Sequence, residues 1–269
     1  MLLAALAGLL MACIVSNEPD SQKLSEGFFD PPMASRPGAF WAWLNGDVTK
    51  ASITHDLEEM KAKGMSRAEI WDVAAVNNPE GAYGAGPSFL GDESVEMIKH
   101  ALSEGKRLGM KIGMVGSSGW NAGGTWVTPD WASKALFFSE LEVTGPSRFV
   151  KELPFPKVPE PCPKDGSGKP VFYREVAVVA VPVNPEKKIA KTDDIIILSD
   201  HFDGRILTWE IPPGTWMVLR FICSNTGQTL IVPSPESGGL FIDFLDPAAT
   251  QRHLGHILGR LGITPANAA

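Results

Sequence analysis

A repeated junction constrains the fold of this chain more than any other feature. Lys61-Ala-Lys-Gly-Met65 and Lys106-Arg-Leu-Gly-Met110 each follow an amphipathic stretch and precede a short apolar run. Glycine lets a helix end in a left-handed turn, and the apolar run then opens a strand. Repeated strand–helix units of this kind predict parallel strands joined by crossover helices. Ala39 to Leu44 reads as a buried strand ending at Asn45-Gly46. Ile53, Leu57 and Met60 recur at helical spacing, with Glu59 four residues before Lys63. Ala68 to Trp71 is the second strand, followed by a Gly/Pro/Asn-rich loop from Asp72 to Gly91. Val95, Ile98, Leu102 and Leu108 mark the second helix, and Lys111 to Val115 the third strand. An eight-unit barrel and a doubly wound open sheet both satisfy this local pattern.

The pattern changes after Glu142. Pro154, Pro156, Pro159, Pro161 and Pro163 make a stiff, extended stretch. Val176 to Val183 is strongly β-prone. Ile206 to Ile211, then Pro212-Pro213-Gly214, then Trp216 to Ile222 reads as strand, turn, strand, and Thr229 to Val232 as another strand. An inserted antiparallel β-domain of sandwich type is expected. The earlier mode then resumes. Leu240 to Asp243 reads as a buried strand, and Asp246-Pro247 as the N-cap and first turn of a helix. Leu254, Ile257, Leu258 and Leu261 give that helix its apolar face. The expected organisation is a signal and tether over 1–26, the first part of a barrel over 27–141, the β-domain over 142–238 and the return to the barrel over 239–269. About four strand–helix units are visible where a closed barrel has eight. The expected fold is therefore α/β: a partial (β/α)8 TIM-type barrel with an inserted β-sandwich-like domain, the N-terminal piece of a longer protein.

Ordinary globular composition supports this reading, with 44% hydrophobic and 20% charged residues over 269 positions. The net charge of −7 repels phosphate backbones, so no nucleic-acid partner is expected. Leu2 to Ala12 is apolar but too short to span a bilayer, and has the length of a signal-peptide core. Leu10-Met11-Ala12-Cys13 resembles a bacterial lipoprotein signal, in which Cys13 would be lipidated; an ordinary cleaved signal with an incidental cysteine is the alternative. No Lys or Arg precedes the run. Ser16 to Glu26 would serve as the tether. Either signal places the protein outside the cytoplasm, in the periplasm or at the outer membrane, touching membrane only through such an anchor. Cys162 and Cys223 could pair in that compartment.

No nucleotide loop is present: Gly81 to Gly86 is glycine-rich but lacks a following Lys-Ser/Thr. No zinc spacing exists, and no metal site is identified. His55 and His100 lie within helices, and His253 and His256 share a face of the last one. Three strand ends carry more. The first has Trp41, Trp43, Asn45 and Asp47; the second has Glu69, Trp71 and Asp72; the third runs into the loop Gly116 to Trp126. Indole planes beside amides and carboxylates suit sugar rings, and glycines allow close backbone approach to a ligand. At least one of Trp41 and Trp43 is core; Trp43 shares a strand face with Asn45 and is the one expected at the pocket. Glycosidases use two carboxyl groups. Glu69 and Asp243 are the candidates, each equally readable as a structural carboxylate.

Phe40-Trp-Ala-Trp-Leu-Asn-Gly-Asp47, Ile53-Thr-His-Asp-Leu-Glu-Glu-Met-Lys-Ala-Lys-Gly64 and Gly119-Trp-Asn-Ala-Gly-Gly-Thr-Trp-Val-Thr-Pro129 together resemble glycoside hydrolase family 106, the α-L-rhamnosidases. Met97-Ile-Lys-His-Ala and Gly239-Leu-Phe-Ile-Asp243 extend the resemblance. It implies a (β/α)8 barrel with β-domains, a glycoside or oligosaccharide substrate, inversion at the sugar carbon and calcium dependence. It implies pocket-forming roles for Trp43, Asn45, Trp120, Asn121, Gly123, Gly124 and Trp126. The resemblance places both catalytic glutamates beyond Ala269. Many members have a His-Asn pair where this chain has Val115-Gly116, a departure at the end of the third strand. A non-catalytic carbohydrate-binding lipoprotein is the competing expectation.

Overall fold

A computed structural model describes residues 21–183 and 192–266. Cys13 and the apolar leader lie outside the described residues. Ser21–Phe29, which includes the end of the expected tether, is a helix, α1.

Three parallel strands follow: β1 (Gly38–Leu44), β2 (Arg67–Val73) and β3 (Lys111–Met114), in spatial order β1-β2-β3. Two crossover helices join them, α2 (Lys50–Ala62) and α3 (Asp92–Leu108). Local chemistry sets their ends. Thr49 caps α2 through a reciprocal pair of bonds with Ser52, and α3 stops at Gly109 in the left-handed conformation (φ 64°). A final helix, α4 (Pro247–Leu261), is capped by Asp246, which accepts from the Ala248 N–H.

α4 serves as the third crossover. Its Ile257 and Leu261 enter the same core as Trp41, Ile53, Leu57, Ile70 and Ile98. The β-insertion therefore interrupts the third unit, between β3 and its helix. This corrects the expectation of about four units to three. It also corrects the return strand. Leu240–Phe241 (β9) is a half-buried two-residue strand antiparallel to Gly123–Gly124 (β4), outside the parallel sheet. The buried face of α4 runs Ala249, His253, Ile257, Leu261 at strict four-residue spacing, leaving Leu254 and Leu258 exposed. The hydrophobic pattern missed this because one member of the stripe is a histidine.

The insertion is a four-stranded antiparallel sheet in the order β5-β8-β6-β7, made from β5 (Lys134–Glu152), β6 (Tyr173–Pro182), β7 (Ile196–Ile197) and β8 (Ile206–Asn225). β8 is one continuous strand through Pro212-Pro213-Gly214, where the sequence suggested a turn. β5 follows it along its length, with a register break between Gly145 and Ser147. A Cβ on Gly145 would collide with the Pro212 carbonyl, so glycine is what permits the close approach at this bend. The bent pair folds over its own sheet. Phe149, Leu207 and Trp209 from the far half pack with Val178, Ala180 and Val218 from the near half. A single sheet closing on itself replaces the expected sandwich of two, and no closed barrel is found among the described residues. Thr229 to Val232 forms isolated bridges only.

Arg220 bolts the two halves together. It is 4% exposed, pairs with Glu175 at 2.5 Å and donates to the Leu153 and Gly204 carbonyls at 3.3 and 3.2 Å. The rings of Phe155 and Phe202 lie 5.0 and 4.8 Å from its guanidinium. Cys162 and Cys223, which could have paired, are both free thiols. Cys162 lies against Ser224, whose side chain points to the opposite sheet face from its neighbour Cys223.

Arg220→Ala removes the donor from a buried network and should lower the unfolding free energy by about 3–5 kcal/mol. Arg148→Ala, whose pair with Glu210 is exposed, should cost less than about 1 kcal/mol. Urea denaturation of both variants compares the two costs.

Candidate functional site

The parallel sheet has two faces of different character. Alternate residues of β1 point to opposite sides, so Trp41 and Trp43 share a face. That face meets the helices. Both indoles are buried and pack edge to face at 5.3 Å. Trp41 Nε1 donates to Asp56 at 3.0 Å, while the Trp43 Nε1 has no partner among the described residues. Trp43, expected at the pocket, lies in the core. Asn45 is also buried. Its Oδ1 accepts from the Ala75 N–H at 2.8 Å and its Nδ2 faces the Tyr83 carbonyl at 3.5 Å, fastening the loop after β2.

The opposite face carries Phe40, Ala42, Glu69, Trp71 and Gly113, and no helix of the described residues covers it. Phe40 is 77% exposed. Phe40 and Trp71 have ring centroids 6.0 Å apart, and Trp71 and Trp120 lie at 4.5 Å. Trp71 is held by a bond from its Nε1 to the Gly119 carbonyl at 2.9 Å. Trp120 is 53% exposed. The three rings form a continuous aromatic surface across the sheet. Trp71, one of the strand-end groups expected at a sugar site, lies on this uncovered face, and Phe40, which the sequence did not single out, joins it there. Glu69 lies lower, as the third of seven residues in β2, in a cavity of about 340 Å³ with Phe40 and Arg67. Gly113 leaves the space across β3 that the Glu69 carboxylate occupies.

The glycines of the third loop serve the chain itself. A Cβ on Gly123 would strike the Leu240 carbonyl, so that glycine permits the tight β4–β9 pair, and one on Gly124 would strike the Trp126 ring, so that glycine lets the ring fold back over the loop. Asn121 adopts φ 73°, and its carbonyl accepts the Ser117 hydroxyl. Trp126 turns toward α4. It stacks on His256 at 4.3 Å and donates through Nε1 to His253 Nδ1 at 3.2 Å. Burial holds the His253 pKa down, opposed by its bond to the Gly116 backbone. His253 is thus a neutral strut between loop and helix.

The two candidate carboxylates are not brought together. Asp243 lines a different cavity, paired with Lys134 at 3.2 Å and accepting from the Leu245 N–H. Both contacts are those of a structural carboxylate. Calcium takes six to eight oxygen ligands. Among the described residues, no three His, Cys, Asp or Glu side chains are placed to hold a metal ion.

Asp72 ends β2 as a buried carboxylate. It accepts from the Ser118 hydroxyl, which in turn accepts from the Ser234 N–H at 2.7 Å. Burial raises its pKa, against the lowering effect of the Ser118 and Ser234 hydroxyls. A raised folded-state value means that the charged form opposes folding. Its stability contribution is therefore best below the ordinary carboxyl value of 3.8 and declines as pH rises through the raised value of the folded state. Asp72→Asn removes that ionisation. The melting temperature of the variant relative to wild type should rise as the pH is raised above 3.8, measured by thermal denaturation across buffers.

A family model described as alpha-L-rhamnosidase, glycoside hydrolase 106, matches residues 29–191 and 168–267. The fold is also similar to the solved rhamnosidase from Novosphingobium sp. PP1Y, with a TM-score of 0.63 and 19% identity over 89% of this chain and 38% of that one. A curated protein of Formosa agariphila, provisionally named a beta-glucuronidase, is 28% identical over 91% of this chain. The chain spans 23% of that relative's length. With the model matching nearly all of the described chain, the protein belongs to the glycoside hydrolase 106 family.

Proposed function

We propose that this chain supplies the first strands of an α-L-rhamnosidase-like glycosidase, whose open sheet face presents Phe40, Trp71 and Trp120 to the sugar. The observation that carries the reading is the aromatic surface itself. Three rings in a row, with Trp71 touching both Phe40 and Trp120 and the outer two mostly exposed, lie on a sheet face that no helix of the described residues covers. Sugar C–H faces stack on such rings while polar groups bind the hydroxyls. The proposed chemistry is inverting, with one carboxyl protonating the leaving oxygen and another activating water. Glu69 and Asp243 line different cavities, which supports seeking the pair elsewhere. Both essential carboxyls are accordingly assigned to strands outside this chain. An extracytoplasmic location, with an anchor at Cys13, belongs to the same proposal.

The competing reading is a non-catalytic carbohydrate-binding protein, favoured by the separation of the two carboxylates. Turnover separates them. The purified chain should hydrolyse neither an aryl α-L-rhamnoside nor an aryl β-D-glucuronide. Extension by the downstream reading frame should restore hydrolysis of one, with inversion followed by NMR. Full rates from the 269 residues alone would refute the assignment, and a downstream stop codon would favour the binder. In either case Trp120→Ala should weaken binding of a methyl glycoside about fivefold, read by titration calorimetry.

A further inference from the structure

We propose that the cleft between the Trp126–Trp131 loop and α4 binds the carboxylate of an acidic sugar. The cleft encloses about 290 Å³, near the small end of ligand pockets and of a size for one monosaccharide ring. Its floor is apolar: Val127, Ile242 and Ala249 are all buried. Two indoles, Trp126 and Trp131, line its walls together with Arg252 and His256.

Charge is what singles the cleft out. The chain carries a net −7, yet no acidic side chain lines this cavity. Asp130, Asp243 and Asp246 belong to the neighbouring cavity on the other side of Trp131. Arg252 holds its guanidinium 4.1 Å over the Trp131 ring. Among the described residues it has neither an ion-pair nor a hydrogen-bond partner. Six of the nine arginines, Arg36, Arg107, Arg148, Arg205, Arg220 and Arg260, each have a carboxylate. Of the other three, Arg67 lines a cavity with Glu69 and Arg174 one with three aspartates, whereas the cavity that Arg252 faces has no acidic lining residue. A guanidinium held over an indole face by its central carbon still has N–H donors to offer a planar anion such as a carboxylate. His256, set by its stack on Trp126, adds an imidazole with no hydrogen-bond partner among the described residues. The site has no carboxylate to act as acid or base, so it binds without catalysing. That the carboxylate is carried by a sugar rests on the glycosidase reading above; that the ligand is anionic rests on the cleft alone.

Titration of the whole chain with sodium D-glucuronate, methyl β-D-glucopyranoside and sodium acetate tests both parts. The expected result is glucuronate binding at least about tenfold tighter than either other probe, with the His256 ring resonances shifting. Arg252→Gln, a change at an exposed position, should weaken glucuronate about tenfold with circular dichroism unchanged. Equal binding of the neutral glucoside overturns the anionic assignment. Equal binding of acetate overturns the sugar and leaves a general anion site. No binding of glucuronate, or binding that leaves His256 unmoved, overturns the cleft. None of these outcomes depends on turnover, so failure here is distinguishable from failure of the glycosidase reading.

Discussion

Burial of Trp41, Trp43, Ala68 and Ile70 beneath three helices is the contact on which the rest of the molecule depends. Each large apolar side chain removed from water contributes about 1.5–3 kcal/mol. A parallel sheet gains this only where helices cover it. The third helix arrives after the whole antiparallel sheet has been made, yet Ile257 and Leu261 still close the core. Arg260 fixes its position, donating to the Leu90 carbonyl at 2.9 Å and pairing with Asp92 at 2.6 Å. So long an insertion is tolerable because closure entropy grows only logarithmically with loop length.

The insertion does more than interrupt. Its return segment stitches together the loops at the C-terminal end of the sheet. The Val232 and Ile231 carbonyls accept from the Ala74 and Trp120 N–H groups, at 3.0 and 2.9 Å. Ser237 Oγ accepts from the Phe89 N–H at 2.9 Å, and the Ser234 N–H reaches Ser118. Trp120 is therefore positioned from two sides, by its own strand end and by the returning chain. The aromatic surface is a product of that stitching as much as of the sheet.

Two sets of tryptophans divide the work. Trp71 and Trp120 lie on the uncovered sheet face. Trp126 and Trp131 lie toward α4, among the imidazoles of His253 and His256 and the guanidinium of Arg252. The first set suits a neutral ring face. The second adds positive charge and hydrogen-bond donors, which suit an anion. A glycan-processing protein with both surfaces would read shape at one place and charge at another.

Local chemistry was legible from the sequence: the Gly64 and Gly109 stops, the Asp246 cap, the parallel units and the β-rich insertion all follow from nearest-neighbour preferences. The family motifs were legible for the same reason, being contiguous. Which face each tryptophan takes was not. Trp43 and Trp71 both alternate with apolar neighbours, and only packing against α2 and α3 sends one to the core and leaves the other open. Asn45, Gly123 and Gly124 have the residue types of a ligand-binding loop, yet the backbone groups of this chain occupy them. Asp243 follows an apolar run as a strand-end carboxylate would, and is claimed by Lys134 from a different sheet. The sequence by itself determined where helices and strands begin and end, because capping and periodicity act over a few residues. Tertiary structure alone decided which side chains meet, because contacts across 100 residues depend on how the bent sheet and α4 return to the core.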